Sequence, residues 1–431
     1  GQSINMLFPL ASGNWNNAAN AGVFYRNWNN NRSNDNNNVG FRVSDYCAAA
    51  DLTLHAANTG DIGVDLSCTL AKSAWRGFSV PQGTINQAFF NTMPKRHGNL
   101  FGTMFTLDAL HAAYLKARRR KRKKSNVATF ERNLGANLQR LHDELHNGTY
   151  QPRPYKTFEV HEPKRRVIYA PHFRDVVVQH AMYAVLYPIM DAGFCHDSWG
   201  CRVGKGTHGA ADRAQQHLRA SRPGSYILQL DVRKFFYRID RGILTALWSR
   251  KIKDQRVLSL LDAFAHYPND TGIPIGNLLS QLGALVYLNP LDHFIKRELG
   301  IAKYVRYVDD FILFDLDREQ AHQLREHIEA WLTEHLRLEL SKWTIHPVKR
   351  GINFVGFRTW RKTRFVRKYA LCNFSRALRR GKTASVVSAL GHARHTASFI
   401  HMARRCAEVP AVLEALPPII QLSFRAIHAP V

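Results

Sequence analysis

Polar and apolar positions change texture along the chain. Residues 1–92 hold no period for long: apolar residues are scattered through "GNWNNAANAGVFYRNWNNNRSNDNNNVGFR" at 13–42 and through the stretch that follows. From about Met93 the pattern sharpens. "VATFERNLGANLQRLHDELHNGTY" brings Phe130, Leu134, Leu138, Leu141 and Leu145 onto one helical face, with Asn147-Gly148 as its stop. "KRRVIYA" predicts a strand and "FRDVVVQHAMYAVLYPIM" a buried helix. "YILQLDV" is an apolar run of strand length, and "YVRYVDDFILF" is two apolar runs around an acidic pair, which predicts a hairpin. "REQAHQLREHIEAWLTEHLRLEL" aligns Ala321, Leu324, Ile328, Trp331 and Leu332 on one helical face. "GINFVGFR" reads as one more short strand with turn residues, and beyond about 359 the chain is basic and helical in pattern.

With 431 residues, 45% of them apolar, the chain is long enough for two or three domains around a substantial core. Its net charge of +27 asks for a polyanion, nucleic acid first and an acidic membrane surface second. No apolar run approaches the ~20 residues a spanning helix needs. No secretory leader pattern is visible. The cysteines (Cys47, Cys68, Cys195, Cys201, Cys372 and Cys406) form no CxxC pair and read as reduced thiols of a cytoplasmic protein. The densest charge is "KARRRKRKK" at 116–124. It reads either as a solvated loop or as phosphate contacts from Arg118, Arg119, Arg120, Lys121 and Arg122.

Carboxylates supply the candidate chemistry. "QLDVRKFF" puts Asp231 at the end of an apolar strand, and "YVDD" puts Asp309 and Asp310 at a hairpin tip. Hard oxygen ligands so placed are what a two-metal phosphoryl-transfer site requires, the substrate phosphates completing each ion's shell. An acidic pair alone reads first as an ordinary turn. This pair lacks the glycine a tight hairpin favours. It also sits between apolar runs, where bare carboxylates repel each other unless a cation is present.

Taken in order, "QLDVRKFF", "GIPIGNLLSQ", "YVDD" and "GINFVGF" resemble the palm of a reverse transcriptase. "EPKRRVIYAPHFRDVVVQHA" resembles its fingers, and "HDSWGCRVGKGTHGA" is similar to a segment of bacterial members; the resemblance runs from about 93 to 390. It implies an α+β right-hand polymerase: an Asn-rich segment at 1–92, an N-terminal extension and fingers at 93–230, a palm with an antiparallel sheet at 231–358, and a short basic helical thumb and tail at 359–431. It makes Asp231 and Asp309 ligands for two Mg²⁺ ions, or Mn²⁺ in their place, with Asp310 as the third carboxylate of the catalytic and metal site. Lys164 and Arg166 fall where fingers meet the incoming triphosphate, against the alternative of a solvated strand edge. Phe236 matches the bulky residue that crowds the sugar 2′ position and selects deoxynucleotides. Its alternative is core packing, for which Phe235 is the better candidate if side chains alternate. Gly276, Ser280 and Gln281 fall where the templating pair is supported. Lys342 is a weaker candidate for protonating pyrophosphate, and Arg379, Arg380 and Lys382 belong to the nucleic-acid-binding thumb. No His/Asn nuclease cluster and no RNase H-like carboxylate set accompanies these motifs.

Ile275, where many reverse transcriptases carry Gln, and "KRHGNLF" after Met93 resemble the reverse transcriptases of diversity-generating retroelements. That resemblance implies a cytoplasmic enzyme, encoded by a bacterium or phage. It would copy a template-repeat RNA with dNTPs, misincorporate opposite adenine, and work with template RNA, a cDNA or primer strand and a pentameric accessory variability protein. The Asn-rich stretch resembles the tail of a C-type-lectin-like variable protein. Asn codons begin with two adenines, so 1–92 reads as template and spacer translated in frame, the functional enzyme starting at Met93; the alternative is a true N-terminal module. Two other functions compete: a retron-like or defence-associated reverse transcriptase of ordinary fidelity, and an inactive RNA-binding scaffold. The intact acidic triplet speaks against the scaffold, because an unused buried carboxylate cluster costs stability.

Overall fold

The computed structural model of the protein describes residues 95–161, 165–266, 268–410 and 414. The reading of 1–92, the start at Met93, Cys47, Cys68 and Lys164 lie outside the described residues.

Four helices come first, Leu100–Met104, Leu107–Ala117, Ser125–Arg132 and Leu134–His146. The single helix expected over the last two is broken at Asn133, whose backbone (φ −125°, ψ 49°) is not helical. The Asn137 amide bonds across the break to the Phe130 carbonyl at 2.9 Å. The apolar face survives: Leu138, Leu141 and Leu145 are buried, with Phe130 and Leu134 packed against them. Asn147 caps the second helix and Gly148 follows at φ +72°, the left-handed conformation that stops a helix.

Strands β1 (Lys156–Val160) and β2 (Arg166–Ala170) form an antiparallel hairpin. The helix Phe173–Asp191 is apolar nearly all round, and accordingly Val176, Val177, Val178, Met182 and Leu186 are buried. The equally buried helix Leu278–His293 packs against it. Between and after them lie β3 (Tyr226–Val232), β4 (Tyr304–Tyr307), β5 (Asp310–Leu316) and β6 (Leu340–Pro347). These make one antiparallel sheet in the order β4-β5-β3-β6. The helices Thr207–Ala220 and Arg318–Leu336 pack on it. Ala321, Leu324, Ile328, Trp331 and Leu332 are all buried on the second of these, as its periodicity predicts.

"GINFVGFR" is not one strand. It folds as β7 (Ile352–Phe354) and β8 (Phe357–Thr359), turned by Val355 and Gly356, both at positive φ. That pair of conformations defines a tight hairpin turn, which the eye passes over because only one of the two residues is glycine. Strand β9 (Arg364–Val366) completes this small sheet. Three helices follow, Lys368–Arg379, Thr383–Ala393 and Ser398–Ala407. They enclose a second apolar cluster containing Phe357, Val366, Phe374, Leu390 and Met402. The architecture is α+β, as expected. Among the described residues no helix is long and apolar enough to cross a membrane.

Candidate active site

Strand register builds the site. Asp231 on β3 lies directly opposite Asp310 on β5, and Tyr307 on β4 pairs with the same Asp310. Val308 and Asp309 are therefore the whole turn of the β4-β5 hairpin. The Val232 N–H donates to the Asp309 carbonyl at 3.2 Å and ties the turn to β3. Three carboxylates from two distant segments thus share one end of the sheet. On the other side of β3, Lys342 of β6 sits opposite Asp231.

Each flanking carboxylate is held. The Gln229 amide donates to Asp310 Oδ1 at 3.0 Å and to the Asn353 carbonyl at 3.1 Å. The Ser341 hydroxyl donates to Asp231 Oδ2. Burial above all pushes the Asp310 carboxyl up to about 8; the Gln229 hydrogen bond and Arg367 oppose the rise, and the charges of Asp231 and Asp309 add to it. A carboxylate cluster that repels its own ionisation suits a cation, and its donors are the hard oxygens Mg²⁺ prefers. Among the described residues no three His, Cys, Asp or Glu side chains form a ready-made metal cage. Mg²⁺ sites commonly take one or two carboxylates and leave the remaining positions to water and substrate phosphates.

The turn is strained. Val308 has φ +58°, an outlying conformation for a β-branched residue. The missing glycine has a counterpart across the contact, at Gly200. A Cβ at position 200 would lie 2.5 Å from Val308 Cγ2 and 2.8 Å from the Val308 nitrogen. The segment around it runs beside β4 like a further strand, Trp199 N–H donating to the Arg306 carbonyl and Arg306 N–H to the Asp197 carbonyl, each at 2.9 Å. Gly200→Ala should therefore cost about 1–3 kcal/mol of stability. Chemical denaturation measures it, and a variant as stable as wild type would mean that the turn has room to shift.

A chain of backbone bonds gathers the other candidates. Tyr169 N–H of β2 donates to the Ile275 carbonyl, and Ile273 N–H donates to the Phe236 carbonyl, both at 2.9 Å. Arg166, Ile275 and Phe236 are so linked to the segment just after Asp231. Phe235 is in the core at 2% exposure and Phe236 is half-buried, but both lie on the short helix Phe235–Arg238, so strand alternation is not the reason for the difference. Ile275 and Gln281 are both buried, at 5% and 4% exposure. Among the described residues, the Gln281 amide nitrogen and the Ser280 hydroxyl find no hydrogen-bond partner. Asn277 caps the following helix, accepting from Leu279 N–H at 2.9 Å while its amide donates to the Tyr155 hydroxyl at 2.7 Å.

The cationic candidates divide. Arg118 is committed to intramolecular contacts, donating to the Tyr114 hydroxyl at 2.9 Å and to Glu131 at 3.2 Å. Lys121 is half-buried, and burial with help from Lys124 brings it down to about 7. Arg119, Arg120 and Arg122 are exposed in the turn between two helices. Arg379 and Arg380 are exposed at the end of the helix Lys368–Arg379, with Lys382 half-buried beside them.

Sequence reasoning missed Arg306, Asp292, Gly200 and Gln229. For Arg306 there was a signal, a charge inside the apolar run "YVRYVDD".

Comparison with known proteins bears on this site. Residues 159–359 match the family model described as reverse transcriptase (RNA-dependent DNA polymerase). Protein YkfC of Escherichia coli (strain K12) is 26% identical over 284 residues, which cover 55% of this chain and 74% of that protein. The group II intron-encoded protein LtrA of Lactococcus lactis subsp. cremoris is 23% identical over 296 residues, covering 51% of this chain and 49% of that protein. The chain thus spans about half the length of the intron-encoded relative. Among solved structures, apo telomerase from Candida tropicalis aligns at 14% identity with a TM-score of 0.42, covering 64% of this chain and 59% of that one.

Proposed function

We propose that this chain, whose residues 159–359 match the reverse transcriptase (RNA-dependent DNA polymerase) family and whose fold is α+β, is an RNA-directed DNA polymerase that makes error-prone cDNA from a template-repeat RNA in a diversity-generating retroelement. The observation that carries the polymerase reading is the register that sets Asp231 against Asp310 with Asp309 in the adjoining turn. The error-prone reading is supported by the apolar Ile275 on the loop bonded to β2.

In this reading Asp231 and Asp309 hold two divalent ions, Mg²⁺ or in its place Mn²⁺, and Asp310 flanks them. Bound there, the ions supply activation of the primer 3′-hydroxyl and neutralisation of the departing pyrophosphate. Gln229 and Ser341 keep the carboxylates aimed. Lys164 and Arg166 neutralise the incoming triphosphate, and Arg166 suits bidentate phosphate contact. Phe236 crowds a ribose 2′-hydroxyl, and Lys342 protonates pyrophosphate, a role supported by its pairing with Asp231 across the sheet. Residues 93–230, 231–358 and 359–431 then serve as extension and fingers, palm, and thumb, except that β3 belongs with the palm sheet from Tyr226 onward. Template RNA, the cDNA strand and a pentameric accessory variability protein are the proposed partners, in the cytoplasm of a bacterium or of its phage-infected host.

A second reading, a reverse transcriptase of ordinary fidelity, draws support from the intron-encoded relative. Copying a defined RNA and sequencing the cDNA decides between them. Errors concentrated opposite adenine support the first, and uniformly rare errors support the second. Ile275→Gln should lower misincorporation opposite adenine more than opposite the other bases. An unchanged error spectrum, or an equal fall at all four, would remove Ile275 from the account.

A further inference from the structure

Arg306 and Asp292 are 1% and 0% exposed, and form an ion pair in the middle of the protein. Arg306 Nε donates to Asp292 Oδ1 at 2.7 Å and Nη2 to Oδ2 at 2.5 Å. The Tyr304 hydroxyl donates to the same Asp292 at 2.7 Å. A buried ion pair is weak evidence for stability, since an apolar pair of similar volume often serves as well. The remaining contacts of the guanidinium show what this pair is for. Nη2 donates to the Ser198 hydroxyl at 3.0 Å, and Nη1 donates to the Val308 carbonyl at 2.9 Å. That carbonyl belongs to the strained turn residue immediately before Asp309. Gly200 closes on Val308 from the loop that Ser198 belongs to.

We propose that Arg306 is a positioning residue for Asp309: oriented by Asp292 and Tyr304, it clamps the Val308 carbonyl and holds the turn in the unfavourable conformation that presents the carboxylate beside Asp231. The proposal rests on the polymerase reading for its catalytic meaning, but not for its structural one. Only a planar fork reaches a carboxylate, a hydroxyl and a backbone carbonyl together; a lysine ammonium cannot span them. The charge has to be Arg, and it has to be buried, because the carbonyl it grips lies inside.

The test separates clamping from folding. D292N/R306M removes both charges together and leaves an oxygen for the Tyr304 hydroxyl, so the buried charge is not orphaned. Its melting temperature should stay within about 5 °C of wild type. Its kcat for primer extension should nevertheless fall about 100-fold, the scale of an ångström-sized misplacement, while KM for dNTP stays within a factor of about three. Without substrate or metal, amide exchange should accelerate in the peptide spanning 304–313 and at Val232, whose N–H reports the position of the turn. A stable double variant with wild-type kcat and wild-type exchange overturns the proposal. So does a rate loss with exchange unchanged, because the turn would then not have moved. If the double variant does not fold, Y304F, which removes one donor to Asp292, decides by the same two readings. Wild-type protein that extends no primer defeats the polymerase reading alone, and the exchange measurement still judges the clamp.

Discussion

Asp309→Asn should cut primer extension in Mg²⁺ by at least about a thousandfold, the several kcal/mol of charge stabilisation a metal-held phosphoryl group depends on. Its RNA affinity should stay within about twofold of wild type, since the site proposed to hold nucleic acid is cationic and elsewhere. The substitution is nearly isosteric. The Asp309 contact that ties the turn to β3 is made by its backbone carbonyl, so the hairpin keeps that bond. The substitution removes the negative charge proposed to hold the metal. Primer extension on a defined RNA and a separate filter-binding measurement give the two numbers. Near-normal synthesis by the variant would end the assignment of this triplet, whereas loss of RNA binding in step with activity would point to damaged folding.

RNA affinity should fall roughly 300-fold between 50 and 200 mM salt if about six phosphates are neutralised, a log-log slope near −4 at about −0.7 per phosphate on single strands. The net charge of +27 motivates the figure. The exposed Arg119, Arg122, Arg379 and Arg380 are the side chains to examine, whereas Arg118 is already engaged by Glu131. Replacing Arg379 and Arg380 by Gln should flatten the slope by about 1–2. A flat dependence in the wild type would transfer this surface to an acidic protein partner, and binding studies on RNA-free protein would reveal it.

What the sequence made legible follows from the range of the interactions. Periodic elements with a clear apolar face, such as Arg318–Leu336, declare themselves within a few turns of chain. The "YVDD" hairpin was readable because two apolar runs flank it, and its partnership with Asp231 because the order of motifs resembles a known palm. The break at Asn133 was not readable, since the apolar face continues across it with only the backbone departing. Nor was the contact between Gly200 and Val308, because the space the turn needs is left by a residue on another segment. Arg306 and Ser198 meet across 108 residues, and no local pattern announces such a pair. Arg118 shows the opposite error. A dense basic run suggests a common fate for its members, yet one of them packs on Tyr114 at 5.1 Å and pairs with Glu131.

The order of strands in the central sheet also governs when the molecule acquires its chemistry during synthesis. Gln229 must wait for Asp310, 81 residues later, and Asp231 for Ser341, 110 residues later. Closing such long loops precedes any reward from the contacts they make, so a sheet of this topology assembles late. Translation delivers β3 first, the Asp309 hairpin next and β6 last. A nascent chain halted before Leu340 already contains every carboxylate of the site, but lacks the strand whose Ser341 fixes Asp231.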